Sequence, residues 1–240
     1  MQLTHQSAIG EILQGVFQVY SQRVPDVQKI TTAMVSHGMV SGQSEIINDH
    51  IAFRTLGVPH LGIASFEKIF LAHGYEKRDY FFFEGKKLDA YWYAPPAEEF
   101  PRIFISELRV EKLSPEAQNI IQSYTNEVTS DPVDNINLND PHIVGAFLHQ
   151  SLWRIPTLSN YLQLLNESEY AAWVIYNRYY LNHYTISVYY LKDGFNQLTQ
   201  FNAFLEKNGI KLNDAGGKIK VSPDGLLLQS STVAQVLEEN

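Results

Sequence analysis

Apolar residues recur every three to four positions along the first forty residues. Ile9, Ile12, Leu13, Val16, Phe17 and Tyr20 fall at helical spacing, and a second such pattern runs from Val24 through Ile30, Met34 and Val35. Two helices are predicted, followed by a loop at Ser41, Gly42, Gln43 and Ser44. From Ile46 the period drops to two. Ile47, Asp49, Ile51, Phe53 and Thr55 then face one way, and Asn48, His50, Ala52 and Arg54 the other. Gly57, Pro59 and Gly62 end this strand. A helix with Ile63, Phe66, Ile69 and Phe70 on its apolar side follows, and Gly74 is its C-terminal stop. Extended segments are expected at 75–83, 87–93 and 102–110. In the middle of the chain, Ser114-Pro115-Glu116 reads as N-cap, first-turn proline and acidic first turn. Helical patterns return over 141–153 and 158–178. Alternation resumes over 182–191, then a helix carries Phe195, Leu198, Phe201, Phe204 and Leu205 and ends near Gly209. Extended pieces at 210–221 and 226–233 complete the reading.

Two of these regions match each other. Asp49-His50-Ile51-Ala52-Phe53-Arg54 heads one strand-helix-strand unit, and Asn182-His183-Tyr184-Thr185-Ile186-Ser187 heads the other. The helix-ending glycine falls 24 residues after His50 and 26 after His183. A repeat of this kind predicts an α+β fold of paired βαβββ modules around a shared cleft. The expected organisation is N-terminal helices at 1–45, a first module at 46–112, a helical insertion at 113–180 and a second module at 181–240. Glu107 stands 57 residues after His50, and the same offset from His183 lands on Asn240, the last residue. The second module is therefore expected to stop short of its last strand, as a truncated chain would.

Composition narrows the functional classes. Eighteen Lys and Arg face 26 Asp and Glu, a formal net charge of -8, which argues against the phosphate neutralisation that non-specific nucleic-acid binding needs. No apolar run approaches the ~20 residues of a membrane span. Residues 1–10 are polar, without the charged start and apolar stretch of a signal peptide, so a cytoplasmic location is expected. The absence of cysteine excludes disulfides, zinc-thiolate sites and thiol catalysis.

Against this background the two repeat-matched histidines stand out. Imidazoles at His50 and His183 suit Fe, Zn, Ni or Cu, and with a carboxylate and open positions they would form the facial triad of non-haem iron oxygenases. A lone strand histidine is more often a packed or surface residue. Matched placement across a repeat reverses that preference. Arg54 follows His50 by four residues on the same face, ~13 Å along the strand, and can grip a carboxylate with paired hydrogen bonds. The competing reading for Arg54 is a salt bridge, with Asp49 or Glu107. Glu107 is open between metal ligand, partner orienting a histidine, and ion pair with Arg54 or Arg109. Lys86 and Lys87 could add positive charge for an anionic substrate or be a solvated turn. Glu169 and Trp173, one helical turn apart, could wall the pocket. His5, His37, His60, His73, His142 and His149 have no repeat partner and read as structural.

Asp49-His50-Ile51-Ala52-Phe53-Arg54-Thr55, Lys86-Lys87-Leu88, Phe104-Ile105-Ser106-Glu107-Leu108, Ser168-Glu169-Tyr170-Ala171-Ala172-Trp173 and Asn182-His183 together resemble the 2-oxoadipate dioxygenase/decarboxylase family, of the vicinal-oxygen-chelate superfamily. The resemblance covers nearly the whole chain. It implies an Fe(II) enzyme that converts 2-oxoadipate, with dioxygen, to 2-hydroxyglutarate and carbon dioxide. It also implies metal ligation by His50 and His183 and substrate binding by Arg54. The family's glutamate ligand lies past Asn240, and no residue here matches it. Two other readings keep the fold: a glyoxalase-like isomerase or lyase using Zn or Ni, and a non-catalytic small-molecule-binding protein. The partners expected are a 2-oxo acid and dioxygen, with neither nucleic acid nor membrane.

Overall fold

The computed structural model describes residues 7–222 and 224–234. The chain forms two compact units, one of Gln18–Asn48 with 186–234 and a larger one of 7–17 with Asp49–Thr185. His5 and the expected chain end near Asn240 lie outside the described residues.

In the larger unit, strand β1 (Asn48–Leu56) leads into helix α3 (Ile63–Leu71) and then β2 (Glu76–Phe83), β3 (Leu88–Ala94) and β4 (Arg102–Leu108). Helices α1 (Ala8–Arg23) and α2 (Pro25–Ser36) precede them in the chain, as the periodicity predicts. The sheet order is β2-β3-β4-β1-β5, where β5 is His183–Ile186. β4 lies parallel to β1, while β2-β3 and β3-β4 are antiparallel. Opposed residues share a face, so the register fixes two chemically different surfaces. Ile51, Phe53 and Thr55 align with Ile103, Ile105 and Glu107 on one of them. That face packs under α3: the Phe53 ring centroid is 4.9 Å from Phe66 and 5.5 Å from Phe70. His50, Ala52 and Arg54 align with Arg102, Phe104 and Ser106 on the other. Alternation along nine residues thus separates core from chemistry.

Gly74, at φ +82°, ends the α3 turn as its sequence position predicts. The start of α3 is less expected. Its N-cap is Gly62, which has no side chain to offer, and the cap comes from β4: the Glu107 carboxylate accepts from Ile63 N–H at 2.7 Å. Burial pushes the Glu107 carboxyl up, and the Ile63 hydrogen bond pulls it partly back. A Cβ on Gly62 would overlap the same carboxylate oxygen. Glu107→Ala should therefore cost about 1–3 kcal/mol by stranding a helix-end N–H. Gly62→Ala should cost a similar amount, roughly 1–3 kcal/mol, by expelling the cap. The double variant should lose clearly less than the sum, because each change removes the same contact. Urea melts of the four proteins would show it, and additive losses would refute the shared contact. Glu107→Gln keeps an acceptor without the charge. The buried carboxyl ionises at higher pH than it does unfolded, so wild type loses stability relative to this variant as pH rises through the carboxylate range.

The middle segment builds α4 (Pro115–Thr125), α5 (Pro141–His149), α6 (Leu158–Glu167) and α7 (Glu169–Asn177). Ser114 caps α4 by accepting from Ala117 N–H at 3.2 Å. The single helix expected over 158–178 is two. Ser168 leaves the helical region (φ −148°, ψ 106°), closes α6 with its N–H on Leu164 and opens α7 by accepting from Ala171 N–H at 3.1 Å. Side-chain competition for backbone N–H groups is what makes serine a breaker here. The helix expected over 141–153 stops at His149, which leaves Trp153 free to donate its indole N–H to Ile175 O at 2.8 Å.

In the smaller unit, helix α8 (Leu198–Lys207) places Phe201, Phe204 and Leu205 against Met34, Met39 and Ile210. The extended stretches expected beyond Gly209 are much shorter. They reduce to β6 (Lys220–Val221), β7 (Leu228–Gln229) and a bridge between Leu212 and Thr232. Gly216 and Gly217, both at positive φ, turn the chain ahead of β6. The strand expected over 182–191 is likewise cut to β5 by the tight 3-10 turn Val188–Tyr190. Among the described residues no helix is long and apolar enough to cross a membrane.

Candidate metal and dicarboxylate site

β1 and β5 bring the two repeat-matched histidines together. Their Nε2 atoms are 3.4 Å apart, with ring centroids at 5.5 Å and the planes nearly perpendicular, at 84°. Each ring is held from behind. His50 Nδ1 donates to Asp49 Oδ2 at 2.8 Å, and His183 Nδ1 donates to Asn182 Oδ1 at 2.9 Å. Asp49 is itself fixed by Arg102 at 2.9 Å, and the His50 hydrogen bond is the main cause holding its carboxyl below the usual range. With Nδ1 committed as donor, each Nε2 carries the lone pair that a metal takes. His183 keeps an exposed edge, but its ring is hemmed in. Loss of hydration, with the neighbouring Arg54 guanidinium adding to it, drives its imidazole down to about 3. A neutral ring is the ligating form.

These residues fit a metal ion. Two nitrogen lone pairs facing each other across 3.4 Å repel unless a proton or cation sits between them. That separation is also the chord two imidazoles span at about 2.1 Å from one cation, at an angle of roughly 110°. Thr185 Oγ1 approaches His50 Nε2 to 3.2 Å from β5. Among the described residues no third His, Asp or Glu completes a ligand cluster.

Beside His183 a cavity of about 490 Å³ opens on the sheet face that bears Arg54. Phe83, Lys87 and Phe104 line it from the sheet side, and Glu169 and Tyr170 from α7. The Arg54 guanidinium lies 4.8 Å from the Tyr170 ring centroid and 5.2 Å from that of Trp173. One of its nitrogens, Nη1, donates to both Glu169 oxygens, at 3.0 and 3.1 Å. Tyr170 locks α7 to the sheet: its buried hydroxyl accepts from Thr55 N–H at 3.2 Å and donates to Ser106 O at 2.9 Å. Lys87, in the left-handed region at φ +56°, sits 3.9 Å from Glu167, whose carboxylate is held by the Ser114 N–H and hydroxyl.

Of the residues singled out in the sequence, His50, His183, Arg54 and Lys87 border this one region, with Glu169 and Trp173 beside Arg54. Glu107 does not join them. It pairs with Thr55, five residues along β1 from His50, and occupies the α3 face of the sheet. Its carboxylate goes to Ile63 N–H, while Arg54 pairs with Glu169 and Arg109 with Asp89. The expectation of Glu107 as metal ligand, histidine partner or ion pair with Arg54 or Arg109 fails on strand parity. Asp49, Asn182, Thr185 and Tyr170 were missed as supporting residues. The first two had a signal: both histidines follow a residue with a side-chain oxygen.

A profile of the 2-oxoadipate dioxygenase/decarboxylase family matches residues 12–239. The chain is 41% identical over 234 residues to a rice (Oryza sativa subsp. japonica) protein named 2-oxoadipate dioxygenase/decarboxylase, chloroplastic/amyloplastic; the match takes in 93% of this chain and 61% of the rice protein. It therefore spans about three fifths of that relative's length. A crystal structure of the hydroxyglutarate synthase from Oryza sativa, in complex with 2-oxoadipate, superposes with a TM-score of 0.81 at 40% identity, covering 93% of this chain and 72% of that one. A Ralstonia eutropha JMP134 protein, named provisionally to the glyoxalase superfamily, gives a TM-score of 0.75 at 20% identity over 96% of this chain and 76% of its own, a likeness of fold alone. The fold is the α+β, glyoxalase-like one that the repeat and the resemblance predict. With its whole described sheet and both histidines inside the matched span, the chain belongs to the 2-oxoadipate dioxygenase/decarboxylase family.

Proposed function

We propose that this chain carries the metal-binding histidines and the substrate cavity of an Fe(II)-dependent dioxygenase/decarboxylase acting on a 2-oxo dicarboxylic acid, 2-oxoadipate first among them. The observation that supports this best is the convergence of His50 and His183 Nε2 atoms, 3.4 Å apart, beside a cavity that holds one arginine. His50 and His183 would hold the metal, as two members of a facial set that a carboxylate completes. When bound, Fe(II) supplies open coordination positions for a 2-oxo acid and dioxygen, and the redox capacity for decarboxylation and hydroxylation.

The protein's own groups do the rest. Asp49 and Asn182 keep both rings in the ligating tautomer. Arg54 receives the distal carboxylate, and Lys87 adds positive charge at the same cavity. Phe104, level with Ala52 between His50 and Arg54, presents apolar surface to the chain of the substrate, and Phe83 lines the cavity beyond Arg54. The proposed organisation is N-terminal helices at 1–45, a βαβββ module at 46–112, a helical insertion at 113–180 and a second, partial module at 181–240. The rice relative carries a plastid designation in its name, so a cytoplasmic setting for this protein is a proposal that cell fractionation would check. The test of function is oxygen uptake with carbon dioxide release when 2-oxoadipate and Fe(II) are supplied. Uptake with 2-oxoadipate and not with a monocarboxylate 2-oxo acid is the expected result. Isomerase activity with Zn or Ni in place of oxygen uptake would overturn it.

A further inference from the structure

Arg54 is already occupied in this structure. Nη1 is chelated by both oxygens of Glu169, and the guanidinium lies beside two aromatic rings that hold it in place without using its other nitrogens. The two partners of the ion pair differ in freedom: the Arg54 side chain is 22% exposed and that of Glu169 is 63% exposed. The arginine is thus the fixed member and the glutamate the movable one. Glu169 is also the first residue of α7, whose Tyr170 is anchored to the sheet, so the backbone stays in place while the carboxylate can swing. Both Arg54 and Glu169 line the cavity.

We propose that Glu169 is a resident counter-ion which a ligand carboxylate must compete with for Arg54, and so sets the affinity and selectivity for dicarboxylates. The inference rests on the reading of the cavity as a dicarboxylate site and adds a residue to it. A dicarboxylate arriving at Arg54 meets a negative charge within a few ångströms of its own distal carboxylate. It either displaces Glu169 from Nη1 or binds the remaining nitrogens against that repulsion. Both routes weaken binding. A monocarboxylate 2-oxo acid never reaches Arg54 and is indifferent to Glu169.

Glu169→Gln keeps an oxygen for Nη1 and removes the charge. Glutarate, a five-carbon dicarboxylate without the keto group, is the probe, and its binding is followed by calorimetry and by the fluorescence of nearby Trp173. The variant should bind glutarate about 3- to 10-fold more tightly, the effect of one neighbouring like charge at a partly wet site. In an Arg54→Ala background the same change should alter glutarate binding by less than twofold, and 2-oxobutyrate binding should not respond in either background. Weaker glutarate binding by Glu169→Gln would mean that the carboxylate only positions Arg54, and would overturn the proposal. Equal tightening with and without Arg54 would overturn it too, as a general field effect. If wild type binds no glutarate at all, the dicarboxylate reading of the cavity fails, and this inference with it.

Discussion

Removing His50 is expected to abolish iron retention. His50→Ala should lower metal affinity by more than about 100-fold, exceeding the roughly 10- to 100-fold that supporting residues usually command. The same loss is expected for His183→Ala, because the two Nε2 atoms lie 3.4 Å apart and among the described residues no third His, Asp or Glu joins them. Asp49→Ala should fall in the intermediate range, since it unties Nδ1 without removing the ligand. Metal content after desalting, by atomic emission, ranks the three variants. A variant that lost either imidazole and kept its iron would mean that the metal is bound elsewhere. Thermal stability without added metal should change little, which separates lost ligation from lost folding.

Arg54→Ala should do the reverse, leaving metal content near wild type and cutting kcat/KM for 2-oxoadipate. Truncating one member of a charged contact costs about 2–5 kcal/mol, so the loss should be at least roughly 30-fold and appear mainly in KM. Arg54→Lys should recover little. Lysine presents a point charge where the arginine plane lies beside the rings of Tyr170 and Trp173 and bridges to Glu169. Steady-state rates over a range of 2-oxoadipate concentrations, with iron measured on the same samples, distinguish the outcomes. A fall in iron content on Arg54→Ala would refute its assignment to the substrate.

The parts of this architecture visible in the sequence were those carried by period and repetition. Alternation from Ile46 to Thr55 placed His50 and Arg54 on one face and Phe53 on the other, as the β1-β4 register has them. The match of Asp49-His50 with Asn182-His183 brought together two residues 133 positions apart. What escaped was set by competition between local groups and by long-range partners. Ser168 splits a continuous apolar period because its hydroxyl takes a backbone N–H, a contest that hydrophobic spacing does not register. Glu107 was open as a metal ligand or histidine partner, yet its parity along β4 sends it to the opposite face, where a glycine-started helix takes it as a cap. Tyr170 sat inside a recognised motif, but its role depends on three atoms of two strands that only the folded sheet assembles.

That same serine joint has a consequence for how the pocket can change. Because α6 ends and α7 begins on one residue, the aromatic-acidic wall at Arg54 sits on its own short helix, which Tyr170 pins to the sheet, so change comes by exchanging that helix and not by bending it. Transplanting Glu169–Asn177 from a relative should carry ligand-length preference with it and leave the histidine pair undisturbed. Ligand length and metal chemistry are in this sense adjustable one at a time, even though Arg54 and His50 share β1.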